Sequence, residues 1–298
     1  MRRFLSLAVS CAILSIVPAC GGGAGGGGGG APTETTFVHL TTGANRFDNG
    51  SGLSWTQLDD PAINGDPTAK LIVTPWRTGG TSADPSPLAV AYDEIAGRWL
   101  LYNDSSIPLP LGAAFTVTAA SDAFTHFATV GDAINPATSE ISHPSLDNDA
   151  NAVFFITRNH TPVGGGPGMP LTETNCGVTY FPPSAPLPGR WAIQAEDGAL
   201  VLAGYAWNVL VRTGRSPAVR HTALPANTGA GNGLDPSETQ TILLESPLGM
   251  HILHVRPLIA PIPRLTPPGA VTFSPLMNVF HQDGSAVAIG EQYFVWRP

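Results

Sequence analysis

Short apolar runs of four to seven residues recur along the chain, and within them large apolar side chains alternate with small or polar ones, as in Phe115-Thr116-Val117 and Arg190-Trp191-Ala192-Ile193. A period of two places successive side chains on opposite faces of a strand. The runs are rich in Val, Ile, Phe, Tyr, Trp and Thr, and turn chemistry separates them: Asn49-Gly50, Asn64-Gly65-Asp66-Pro67, Gly79-Gly80, Asp197-Gly198 and Asp283-Gly284. No proline-free window of ten or more residues carries an apolar stripe at helical spacing. The pattern predicts an all-β fold.

The runs also repeat in order. Trp99, Trp191 and Met277 are each followed 13 residues later by a glycine (Gly112, Gly204, Gly290) and three residues after that by an aromatic (Phe115, Trp207, Tyr293). Upstream lie Val90-Ala91-Tyr92, Val178-Thr179-Tyr180 and Val271-Thr272-Phe273, and earlier Leu71–Thr74, Phe154–Thr157 and Ile252–Val255. Each series opens near a histidine: His39, His126 and His221, spaced by 87 and 95 residues. A fixed period of landmarks is the signature of a repeated unit. The expectation is three β-rich repeats of about 85–95 residues, at 36–120, 121–214 and 215–298, each a small sandwich or barrel of about five or six strands. They would be strung as beads or gathered around a pseudo-threefold axis.

The order of leading histidine, Asn-Gly-x-Pro turn, apolar strand ending in Thr, Arg-Trp, and Gly-Ala-Ala-Phe-x-Val resembles a family of secreted bacterial β-repeats known only as a domain of unknown function. Residues 36–117 follow the pattern best. Residues 124–210 follow it with the insertion Thr161–Glu173, and 219–296 follow it loosely, with Met277 in the tryptophan position. The resemblance implies β-structure and an extracytoplasmic setting, and no activity.

The N-terminus departs from this pattern. Arg2 and Arg3 precede an apolar stretch, Phe4–Val17, too short for a convincing membrane span. It ends Val17-Pro18-Ala19-Cys20, which resembles the lipobox of bacterial lipoproteins, with Pro18 a departure from the usual small residue. The resemblance implies removal of residues 1–19 and acylation of Cys20, so that the partner is a lipid bilayer. Gly21 to Gly30, all glycine but for Ala24, reads as a flexible tether within 20–35. Gly21 is not aspartate, so the resemblance places the protein in the cell envelope, at the outer membrane where there is one.

Composition narrows the function. Charged residues are 12% of the chain, while 34 glycines and 29 prolines make up about a fifth. Helical bundles and coiled coils are excluded. Removing Arg2 and Arg3 leaves 12 basic against 22 acidic residues, which argues against nucleic acid as a partner. Without Cys11 and with Cys20 acylated, only Cys176 remains, so no disulfide within the mature chain is expected.

No catalytic constellation emerges. Gly-x-Ser-x-Gly is absent, and Asn175-Cys176-Gly177 leads into a strand, favouring a structural thiol. His251 and His254 fall on opposite faces of a strand. His39, His126 and His221 read either as one shared metal site on an axis or as residues each bonding its own strand end; the second is expected, because a repeated residue normally serves the repeat. Asp147, Asp149 and Asn151 have the 1-3-5 oxygen spacing of a calcium loop, but Ala152 and Arg158 stand where glycine and a bidentate glutamate belong. Trp76, read as a loop residue beside Arg77, is a candidate for stacking on a sugar or a partner protein. Asp59-Asp60, Asp93-Glu94 and Glu196-Asp197 read as turn and edge charges. No cofactor is expected, and calcium at Asp147–Asn151 is the one metal the spacing admits. The expectation is a non-enzymatic surface lipoprotein that binds or displays, with a glycan or envelope protein as ligand. The alternative is an extracellular polysaccharide hydrolase on a repeated β-scaffold.

Overall fold

The computed structural model of the chain describes residues 33–49, 53–77, 84, 86–105, 107–162, 174–185, 187–215, 217–229, 238–244, 250–255, 268–273 and 276–298. For 240–244, 269–273 and 276–277 this is the backbone alone. The expected signal segment, Cys20, the glycine run and residues 163–173 of the insertion lie outside the described residues. The fold is β throughout, with nineteen strands and one short 3-10 turn among the described residues.

The strands form three sheets. The first runs β1 (Glu34–Leu40), β7 (Ala114–Ala120), β4 (Leu71–Arg77), β17 (Pro268–Phe273), β18 (Leu276–His281), β15 (Glu238–Leu244). The second runs β2 (Arg46–Asp48), β3 (Ser54–Gln57), β6 (Arg98–Asn103), β5 (Leu88–Asp93), β10 (Phe154–Asn159), β13 (Ala206–Val211), β8 (Phe124–Phe127). The third runs β14 (Ala218–Thr222), β19 (Gln292–Trp296), β16 (His251–Val255), β11 (Cys176–Phe181), β12 (Arg190–Ala195), β9 (Thr138–Ile141).

Each sheet has one parallel junction, β4 with β17, β10 with β5, and β16 with β11; the other pairings are antiparallel. Aligned on the ladder partners of Phe115, Trp207 and Tyr293 and on Trp99, Trp191 and Met277, the registers at the three junctions agree. On that alignment the third stretch's equivalents of Leu71 and Val90 are Met250 and Ala270 rather than Ile252 and Val271. Trp76 lies opposite Ala270, Asn159 opposite Val90, and Val255 opposite Val178. Each sheet therefore joins strands from two distant stretches, and none is closed within 36–120, 121–214 or 215–298. The stretches do not stand as separate beads.

Local sequence explains the elements. In β6 and β12 the same positions are buried, beginning with the fully enclosed indoles of Trp99 and Trp191. Each indole N–H must find an acceptor once dry. Trp99 Nε1 donates to the Asp66 carbonyl at 2.9 Å, and Trp191 Nε1 to the Asp149 carbonyl at 2.8 Å. Gly112, Gly204 and Gly290 have φ of 80°, 92° and 94°, a region that glycine enters without steric cost. Their amides donate to the carbonyls of Thr41, Ala128 and Ala223.

The strands β4, β10 and β16 also approach one another directly. Side-chain hydroxyls bridge them: Val73 N–H donates to Thr157 Oγ1 at 2.8 Å, and Ile252 N–H to Thr74 Oγ1 at 3.3 Å. His251 is fully buried there, with its ring nitrogens on the hydroxyls of Thr74 (3.1 Å) and Thr118 (2.8 Å) and its face on Trp296.

Candidate functional site

The three leading histidines lie on three different sheets, each on a hydroxyl. His39 Nε2 meets Thr56 Oγ1 at 2.8 Å, His126 Nε2 meets Ser139 Oγ at 2.8 Å, and His221 Nε2 meets Thr239 Oγ1 at 3.1 Å. Each imidazole thus ties the opening strand of its stretch to a strand of another sheet, β1 to β3, β8 to β9 and β14 to β15. Burial lowers all three pKa values, that of His39 to about 4.

Trp76 lies within β4 rather than in a loop. It is half-buried at the β4–β17 junction and packs against the cluster that holds Met250, Val279 and Tyr293. Pro75 suggests a strand end, but the chain continues because β17 pairs only from Trp76 onward, where no proline is needed to donate. The Asp147–Asn151 segment is a tight turn. Asp147 Oδ1 accepts from the His143 amide, and Asp149 Oδ1 from the Asn151 amide at 2.9 Å. Asn148, in the left-handed region with φ 62°, exchanges bonds with the Gly189 backbone. The Asn64–Thr68 turn is built alike, with Gly65 at φ 75° and Asp66 Oδ1 accepting from the Thr68 amide. The structure sets Trp76 and this turn against different hydrophobic clusters, the turn against that of Trp191.

The side chains that do converge lie between β4, β10 and β16. A cavity of about 70 Å³ there is lined by Thr74, Thr157, Arg158, Cys176, Asp104 and Leu253, among others. One water needs about 10–15 Å³ on this measure, so the space has room for several waters or a small polyatomic ligand. Around the cavity, buried Asp104 pairs with His160 Nε2 at 3.0 Å, and buried Glu196 pairs with His254 Nδ1 at 2.7 Å. Asp104 and Glu196 each follow the tryptophan of their stretch by five residues, and the third stretch has buried Gln282 at that position. Glu196 is therefore no edge charge; only its neighbour Asp197 fits that reading, in an exposed turn where it accepts from the Ala199 amide. The five-residue spacing was the available signal for Asp104 and Glu196.

Arg158 is 6% exposed, and its guanidinium lies 3.6 Å from the Tyr205 ring centroid and 5.1 Å from that of Trp207. Among the described residues its Nε and Nη2 find no hydrogen-bond partner. Cys176 is half-buried, and burial pushes its thiol up to about 12, with partial relief from Arg158. At neutral pH the thiol is protonated and a poor nucleophile. Asp84, 1% exposed, is raised by burial to about 7, against opposing bonds from Ser86 and Asn103.

A family model described as a domain of unknown function, DUF7452, matches residues 89–185. The match covers about a third of the chain. It spans β5 through β11 and so contains both strands of the β5–β10 junction. It is about one period long, but its phase differs from the 36–120 unit expected from the sequence. Neither the curated proteins nor the solved structures include a match to this chain.

Proposed function

We propose that this chain is a lipid-anchored, extracytoplasmic module that works by binding or display and not by catalysis. Its body is three variants of one unit closed around a pseudo-threefold axis. The observation that carries the reading is the use of equivalent polar residues within the fold. The three leading histidines bond three strand hydroxyls, and two equivalent tryptophans bond two turn carbonyls. The matched registers of the three parallel junctions support the unit itself. The carboxyls near the cavity are engaged by imidazoles, and the one described thiol stays protonated, so neither favours the hydrolase alternative.

The anchor rests on Val17-Pro18-Ala19-Cys20 and the glycine run, after which the first strand begins at Glu34. About ten glycine-rich residues span roughly 17 Å as a flexible chain, enough to hold the β-body clear of the headgroups. Trp76, Asp147, Asp149 and Asn151 act as framework in this reading, and any glycan or envelope partner is met elsewhere on the surface. Fractionation tests the anchor. Wild type is expected in the membrane fraction and Cys20→Ala in the soluble fraction; equal partition of the two would overturn it.

A further inference from the structure

We propose that the cavity between β4, β10 and β16 is a binding site for one small oxyanion, a carboxylate or an inorganic oxyanion, held by Arg158. This goes beyond the display reading, which stands whether or not the site is filled.

Arg158 is a buried charge without a counterion among the described residues. A buried guanidinium loses hydration and normally recovers it through carboxylates or carbonyls. Among the described residues the other enclosed arginine recovers it by charge pairing, although its Nε too is unbonded: Arg212, 1% exposed, reaches Glu34 through Nη2 and Asp122 at 3.2 Å through Nη1, with its face on Trp296. Arg158 has the aromatic face but no anion. Its Nε and Nη2 are enclosed and unbonded, and among the described residues no carboxylate pairs with it. Nε and Nη2 expose almost no surface, which leaves Nη1 as the guanidinium donor that can face the cavity and give an oxyanion a charge-assisted hydrogen bond.

The position is also asymmetric. Arg158 lies opposite Trp207 in the β10–β13 ladder; the matching positions opposite Phe115 and Tyr293 hold Pro75 and His254. Proline brings no side-chain donor, and His254 is paired with Glu196. A residue that served the repeated framework would recur, whereas this one stands in a single copy and lines the cavity. The nearby carboxylates do not neutralise it by contact: Asp104 is paired with His160 and Glu196 with His254. Tyr205 and Trp207 fix the guanidinium plane, so little freedom is lost when an anion docks.

The test is a titration of the full chain in detergent with acetate, formate, phosphate and sulfate at constant ionic strength, chloride serving as the balancing salt. Thermal midpoint and the Arg158 Nε–Hε NMR resonance, assigned with Arg158→Lys, are the readouts. The expected result is a saturable rise in midpoint and a saturable shift of that resonance with at least one oxyanion, weakened at least tenfold in Arg158→Lys and abolished in Arg158→Gln. Saturation by acetate and formate alone identifies a carboxylate site; saturation by phosphate or sulfate alone identifies an inorganic oxyanion site. If Arg158→Gln fails to fold, the wild-type resonance still decides. A linear rise shared by every salt, or an unmoved Arg158 resonance at 100-fold excess over any midpoint effect, overturns the proposal.

Discussion

Lowering the pH should unfold this protein through its buried histidines, and His251 shows why. The ring is fully enclosed, its nitrogens bond the hydroxyls of Thr74 and Thr118, and it lies flat on Trp296. Burial, with a smaller push from the Arg212 charge, lowers its pKa from 6.5 to about 3. Below pH 6.5 the unfolded chain takes up a proton here and the folded chain does not, so unfolding binds protons and stability falls with pH. The slope is about 1.4 kcal/mol per pH unit, a loss of about 2 kcal/mol by pH 5 and about 3 kcal/mol by pH 4. His39, lowered to about 4, adds the same slope down to that pH. Asp84 opposes one of them. It is held protonated up to about 7 in the fold but ionises near 3.8 when unfolded, so its contribution improves as pH falls between those values. His126 and His221 are lowered too. The net slope between pH 6 and 4 should lie between about 1 and 4 kcal/mol per unit. Urea titrations followed by tryptophan fluorescence from pH 7.5 to 4.5 measure it. His251→Gln should remove about 1.4 kcal/mol per unit from the slope, whatever it does to stability at pH 7. An unchanged slope in that variant, or stability that rises as pH falls from 6 to 4, would refute the reasoning.

Two glycines separate crowding from backbone strain. A Cβ at Gly189 would run into the Tyr180 hydroxyl and ring, so Gly189→Ala should cost roughly 2–3 kcal/mol by chemical denaturation; at Gly290, with φ 94° and open space around it, alanine should cost only about 1 kcal/mol, and equal costs would contradict both geometries. Because every sheet draws strands from two stretches, a fragment of residues 36–120 alone should show no cooperative unfolding transition, whereas a cooperative transition in that fragment would restore independent units.

Much of the framework could be read from the chain. The apolar runs around Trp99, Trp191 and Phe115 mark the strands, and the spaced glycines mark positions with positive φ; alternation does not mark an inward face, because β6 and β12 bury three consecutive residues and β7 buries five. Strand pairing was not legible. A period of two fixes a residue's face but says nothing about its neighbour strand, so the parallel junctions stayed hidden. The charged residues misled for a related reason. Glu196 reads as an edge charge until His254 arrives from β16 to pair with it, much as His160, just past β10, pairs with Asp104. Arg158 stood out only as a break in a calcium pattern. That it is both enclosed and unpaired follows from β10 meeting β5 and β13, which no local window of sequence contains.

The proposed surface anchor is tested most directly at Cys20. Intact-mass and peptide mass spectrometry of the protein purified from membranes should find Cys20 as the N-terminus, carrying two or three acyl chains. A mature N-terminus at another residue, without lipid, would contradict it.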